Sequence, residues 1–183
     1  MRKIHVTLFI PAAVLLWAVG GRAAETVKVG DPAPAFTLPF ATRDSVDLKG
    51  LSSAELAGKR YVLAFYPADW SSGCTAEMCM LRDEFAGFEK LGVIVLPVSG
   101  DYVFSHREWA QYHNLPFRLL SDPTREFGRK MGVYREDTGM FQRSVFVVGP
   151  TGTLEYVDYE YSVKDRDDFE ALRDALGSAE SRE

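Results

Sequence analysis

Tyr61-Val-Leu-Ala-Phe-Tyr66-Pro67-Ala-Asp-Trp-Ser71-Ser-Gly-Cys74-Thr-Ala-Glu-Met-Cys79 passes from an unbroken apolar run, through a short polar loop, into a helical pattern. An apolar run of this length ending at a proline describes a strand buried on both faces. Beyond the loop, Cys74, Met78, Leu81, Phe85 and Phe88 are spaced 4, 3, 4 and 3 apart, a single apolar stripe at helical period. The stretch predicts a buried strand followed by a helix that Cys74 opens, with the cysteine at the helix's core-facing edge.

That position has chemical meaning. A helix N-terminus leaves N–H groups unpaired and carries the positive end of the peptide dipole. Both favour the thiolate, which is the nucleophilic form of cysteine. Cys79, the only other cysteine, follows five residues on. In an ideal helix it lies about 140° around the axis, with the two Cα atoms roughly 8.6 Å apart. Disulfides rarely exceed about 7 Å between Cα atoms. A permanent staple does not fit a helix there, whereas a bond formed by unwinding the first turns does. The alternative, a fixed disulfide across a non-helical segment or two unrelated cysteines, stays open on this argument. The arrangement points to redox chemistry.

Working outward, Val27–Leu38 is proline-punctuated and extended, and a short strand is expected near Ser45–Leu48. Ser52 or Ser53 is placed to cap a single turn over Ala54–Ala57. Further buried strands are predicted at Val93–Ser99 and Val145–Val148, and an alternating strand at Thr153–Tyr161 completes a hairpin through Gly149-Pro-Thr-Gly152. Helical stretches are predicted at Cys74–Leu91, Ser105–Tyr112, Thr124–Met131 and Asp165–Leu176. This order of elements describes an α/β sandwich around a mixed sheet. In such sheets functional residues gather past the C-terminal ends of strands, where Cys74 falls.

The N-terminus reads as a leader rather than part of the fold. Arg2 and Lys3 precede an apolar stretch from Ile4 to Val19, and Gly20-Gly-Arg-Ala-Ala24 supplies small residues for cleavage after Ala23 or Ala24. Residues 1–24 are therefore assigned to a signal peptide and residues 25–183 to one domain, with a periplasmic or secreted location. The alternative is an uncleaved membrane anchor. Removal of the leader takes three basic residues and no acids, so the formal charge moves from −5 to −8. A mildly acidic body without a basic run gives no support for nucleic-acid binding. Export also implies an oxidising compartment, where paired cysteines can be merely structural.

A thiolate that attacks an O–O bond needs donors for the peroxide oxygens and a group to stabilise the leaving oxyanion. Ser71 can aim its hydroxyl at the sulfur or at a bound oxygen, or serve only as an N-cap. The N–H groups of Gly73 and Cys74 are further candidate donors. Arg143, at the start of the third buried strand, is the candidate guanidinium, and by itself also reads as a strand-edge surface residue. Pro67 alone is a strand terminator. Glu77 reads as a first-turn acid that complements the helix dipole. His106 and His113 share a helix face, but no carboxylate or cysteine spacing makes them metal ligands.

Taken together, the chain from Val29 to Leu176 resembles a peroxiredoxin. Pro67-x-x-x-Ser71-x-x-Cys74 is similar to the family's Pro-x-x-x-Thr/Ser-x-x-Cys signature, with serine in place of the commoner threonine. Val29-Gly-Asp-x-Ala-Pro-Ala-Phe-Thr-Leu38 resembles its opening segment, Phe117–Pro123 its later strand, and Arg143-Ser-Val-Phe-Val-Val-Gly149 its Arg-x-x-Phe segment. The four-residue gap between the cysteines is that of the bacterioferritin-comigratory, or peroxiredoxin Q, subfamily. The resemblance implies a thioredoxin-like three-layer sandwich with a mixed central sheet flanked by helices. It implies Cys74 as the peroxidatic residue, Cys79 as the resolving one, and Pro67, Ser71 and Arg143 as active-site residues. It implies an intramolecular Cys74–Cys79 disulfide, a peroxide substrate, a thioredoxin-like dithiol reductant and no metal, haem or flavin. A monomer without stable membrane insertion after leader removal is expected. The rival readings are an exported thiol-disulfide oxidoreductase acting on proteins, which calls for a Cys-x-x-Cys that is absent, and a braced non-enzymatic domain.

Overall fold

A computed structural model of the chain describes residues 26–162 and 164–177. The assignment of residues 1–24 as a leader lies outside the described residues.

The sheet has the strand order β2 (Val46–Ser52), β1 (Thr37–Ala41), β5 (Leu119–Ser121), β4 (Val93–Ser99), β3 (Arg60–Phe65), β8 (Ser144–Val148), β9 (Leu154–Asp158). At its centre, β3 (Arg60–Phe65) runs parallel to β4 (Val93–Ser99) and antiparallel to β8 (Ser144–Val148). β5 (Leu119–Ser121) joins β4 in parallel, and β9 (Leu154–Asp158) closes the predicted hairpin with β8. Alternation along β3 explains why its residues read as one apolar run. Val62, Ala64 and Tyr66 enter one core, while Tyr61, Leu63 and Phe65 enter the other. The first core takes residues from α1 (Ser72–Asp83), α2 (Phe85–Lys90), α3 (Val103–His113) and α5 (Arg166–Gly177). The second takes Phe127 of α4 (Glu126–Lys130) and Phe36 of the opening segment. The result is the expected three-layer sandwich around a mixed sheet.

Several expectations need correction. The helix at the cysteines begins at Ser72 rather than at Cys74. It is interrupted at Glu84, where Gly87 N–H turns to the Glu84 carbonyl in a tighter i to i+3 bond, so the single stretch Cys74–Leu91 becomes α1 and α2. The strand near Ser45–Leu48 is longer, β2 at Val46–Ser52, and it pairs with β1 (Thr37–Ala41), which the proline pattern concealed. Pro39 sits where the β1–β2 register shifts between Leu38 and Phe40, a place where a missing N–H costs no ladder bond. Gly50 at φ 87° lies against the Leu38 carbonyl carbon, and a Cβ there would approach it to 2.6 Å. The turn after β2 is a short 3-10 helix, Ser53–Leu56, which Ser52 caps reciprocally with Glu55. β6 (Tyr134–Arg135) and β7 (Met140–Phe141) form a small separate hairpin that the pattern did not signal.

Candidate active site

The register of the central strands assembles the site. Phe65 at the end of β3 pairs with Ser144 at the start of β8. Arg143, immediately before β8, therefore stands beside the loop that leaves β3 and enters α1. Pro67 follows Tyr66 in that loop and is half-buried.

Ser71 is the N-cap of α1, and its Oγ accepts the Cys74 N–H at 3.3 Å. Ser71 thus serves as an N-cap, one of the two roles its position offered, with its Oγ and the Cys74 N–H facing one another. Cys74 occupies the third helical position, still within the first turn where unpaired N–H groups and the dipole act. Its side chain is buried in the first core with Met78, Leu81 and Phe88, as the apolar stripe predicts.

Arg143 reaches this sulfur. Its Nη2 donates to Cys74 Sγ at 3.4 Å, and its Nη1 donates to Glu77 Oε2. The Glu77 carboxylate has 0% exposure, against 19% for the Arg143 side chain. Glu77 is thus no surface acid tending the dipole; it is a buried counter-charge that fixes the guanidinium, and its Oε1 has no hydrogen-bond partner among the described residues. The signal was present in the sequence, since a residue three after Cys74 shares the inner face of the helix. A Cβ at Gly73 would lie 3.5 Å from Arg143 Nη2, an ordinary van der Waals contact, so the arrangement does not depend on glycine for space.

Cys79 lies on the same helix, half-buried, and both thiols are free. With both residues helical, the separation of roughly 8.6 Å between Cα atoms applies to the folded helix. Arg82, one turn on, holds α1 to the end of α3 through the His113 carbonyl, which accepts from its Nη1 at 2.8 Å.

The loop before Ser71 is fixed by a buried network that the sequence reading missed. Asp69 accepts from Tyr66 Oη at 2.9 Å and Ser105 Oγ at 2.7 Å, and meets His106 Nδ1 at 2.9 Å. Burial, reinforced by the Asp69 charge, pushes the Tyr66 hydroxyl well above its ordinary pKa. His106 is thereby a partner of Asp69 on the far side of the loop. Among the described residues, no group of three or more His, Cys, Asp or Glu is placed to hold a metal ion. No helix among them is long and apolar enough to cross a membrane.

Residues 29–157 match the family model described as the AhpC/TSA family. The chain belongs to the AhpC/TSA family of peroxiredoxins. It is 35% identical over 151 residues to the chloroplastic peroxiredoxin Q of Oryza sativa subsp. japonica, covering 80% of this chain and 67% of the relative. Among solved structures, the AhpC of Mycobacterium tuberculosis superposes with a TM-score of 0.73 at 31% identity, covering 87% of this chain and 96% of that one. The reduced 2-Cys peroxiredoxin of Plasmodium vivax superposes with a TM-score of 0.75 at 23% identity, covering 85% of each, a likeness of fold. The peroxiredoxin resemblance read from the motifs and its thioredoxin-like architecture are both borne out. As a peroxiredoxin the chain has the family and fold of thiol peroxidases.

Proposed function

We propose that this peroxiredoxin reduces hydrogen peroxide and organic hydroperoxides with Cys74 as the attacking thiolate and Cys79 as the resolving thiol. The observation that carries the reading is the buried Cys74 sulfur in the first turn of α1 with Arg143 Nη2 at 3.4 Å. The helix N-terminus and the guanidinium both favour negative charge on sulfur. As sulfur takes the near peroxide oxygen, the O–O bond breaks and its electron pair leaves with the far oxygen. The same guanidinium stands ready to donate to that developing anion, which then takes up a proton and departs as water or alcohol. Cys74 becomes a sulfenic acid.

Cys79 then displaces hydroxide from that sulfenic acid, which leaves as water and closes an intramolecular disulfide. The first turns of α1 unwind to bring the sulfurs together. A thioredoxin-like dithiol supplies two electrons and two protons to restore both thiols. Disulfide formation also protects Cys74 from irreversible further oxidation. The cycle runs outside the cytoplasm, a location supported by the leader-like sequence of residues 1–24.

The test is turnover of the two serine variants with hydrogen peroxide and a dithiol donor. Cys74→Ser is expected to abolish consumption. Cys79→Ser is expected to consume about one equivalent and then stall as a sulfenic or over-oxidised species. Equal activity of the two variants would remove the division of labour, and the mass of the mature protein reports leader cleavage.

A further inference from the structure

The loop from Pro67 to Ser71 has no strand or helix to hold it, yet it carries a strained residue. Trp70 has φ 62°, a left-handed backbone that a bulky side chain rarely adopts. Such strain persists only where surrounding contacts over-determine it. Here the contacts converge on Asp69, whose side chain is 1% exposed. Its carboxylate takes Tyr66 Oη, Ser105 Oγ and His106 Nδ1, and its own N–H donates to Asp101 Oδ2 at 2.7 Å. Ser105 Oγ in turn accepts the Trp70 indole N–H at 3.3 Å.

His106 joins two elements: its Nε2 lies 3.2 Å from the Leu120 carbonyl and its Nδ1 2.9 Å from the Asp69 carboxylate. One imidazole therefore bridges β5 to the loop, with the Asp69 contact as its working end. The network is buried and Asp69 is fully partnered, the condition under which such groups rigidify their surroundings.

We infer that Asp69 and His106 are a positioning pair for Cys74. Neither touches the sulfur. They fix the loop that ends in the Ser71 cap, and so they set where the sulfur stands relative to Arg143. This rests on the reading of Cys74 as the reacting cysteine, and it assigns α3 and β5 a part in the chemistry that their distance from the sulfur does not suggest.

Two isosteric replacements separate this role from plain stability. His106→Asn puts an amide donor near the position of Nδ1 and gives up the Leu120 contact. His106→Gln reaches the Leu120 carbonyl and leaves Asp69 short of a donor. The measurements are Cys74 alkylation by iodoacetamide at fixed pH, Cys74 oxidation by hydrogen peroxide in rapid mixing, dithiothreitol reduction of the disulfide form, and the melting temperature. His106→Gln is expected to slow both Cys74 reactions by about 10- to 100-fold, the scale of a misplaced reacting group. Disulfide reduction is expected to hold its rate, because the first turn of α1 is already open in that form. His106→Asn is expected to restore most of both Cys74 rates. Equal rates in the two variants, or a parallel fall of every rate with the melting temperature, would overturn the inference. If His106→Gln does not fold, Asp69→Asn takes its place with the same expected losses. A wild-type protein that alkylates readily but ignores peroxide would count against the peroxidase reading, while the alkylation comparison still judges the pair.

Discussion

The guanidinium of Arg143 stands with Nη2 3.4 Å from the sulfur of Cys74, although 69 residues separate them in sequence. The antiparallel pairing of Phe65 with Ser144 makes this possible, since it brings the start of β8 to the end of β3. The other arm of the fork is occupied by Glu77, so the guanidinium is fixed before any substrate arrives.

Arg143→Lys keeps a positive charge above Glu77 but loses the planar fork that serves two partners at once. The second-order rate of Cys74 oxidation should fall by about 100-fold, the usual scale for losing one oriented donor to a developing anion. Rapid-mixing fluorescence measures it. An unaltered rate would make the contact with sulfur incidental.

The ion pair is asymmetric in exposure, which gives a stability prediction. Arg143→Ala strands a carboxylate with no access to water and should cost about 3–5 kcal/mol. Glu77→Gln keeps an acceptor for Nη1 and removes a buried charge whose Oε1 has no partner among the described residues, so it should cost at most about 1 kcal/mol. Urea unfolding midpoints of the two variants decide the order.

Ser71→Ala removes the acceptor of the Cys74 N–H and should cost about 0.5–2 kcal/mol. Ser71→Thr retains an oxygen in the same role and should be nearly silent. If both variants behave like wild type in unfolding and in peroxide rate, the cap has no part in holding the site.

Both cysteines are helical in the reduced fold, so closing a disulfide between them requires helix to be lost. Peroxide should reduce the helical circular dichroism signal and dithiothreitol should return it. A spectrum that stays constant while mass analysis shows a Cys74–Cys79 bond would contradict the unwinding.

Tyr66 gives the pH dependence of stability an alkaline limb. Burial raises its pKa in the fold, so between the unfolded and folded values the native state binds more protons than the unfolded chain. Stability contributed by this group is therefore full below about pH 10 and lost as pH climbs through the higher folded value. Tyr66→Phe should flatten that decline in alkaline urea titrations. At neutral pH it should cost about 1–3 kcal/mol, because Asp69 loses a donor.

What the sequence disclosed followed from local periodicity. The apolar stripe of α1, the double-sided burial of β3 and the β8–β9 hairpin are all short-range patterns, and the structure bears each of them out. What it concealed was long-range. Glu77 and Arg143 are 66 residues apart, and Asp69 and His106 are 37 apart, so no spacing rule announces either pair. β1 was hidden for a different reason, because Pro39 reads as a strand breaker unless the register shift beside it is known. The helix start was misplaced by two residues because the apolar stripe begins at Cys74, and Ser72 and Gly73 before it carry no apolar mark of the helical period.

In the proposed cycle Cys74 is the reacting sulfur, and its place in the opening turn of α1 would tie the fate of the helix to the sulfur's electrical state. A thiolate there would anchor the amide end of the helix by about 0.3–1 kcal/mol, and conversion to an uncharged sulfenic acid would withdraw that anchor. Oxidation would thus discharge the very turn that the proposed approach of Cys79 requires to come apart, so the first bond made would release the latch on the second. Amide exchange at Gly73 and Cys74 should quicken once Cys79→Ser traps the sulfenic form, while the half of α1 tethered by Arg82 stays protected.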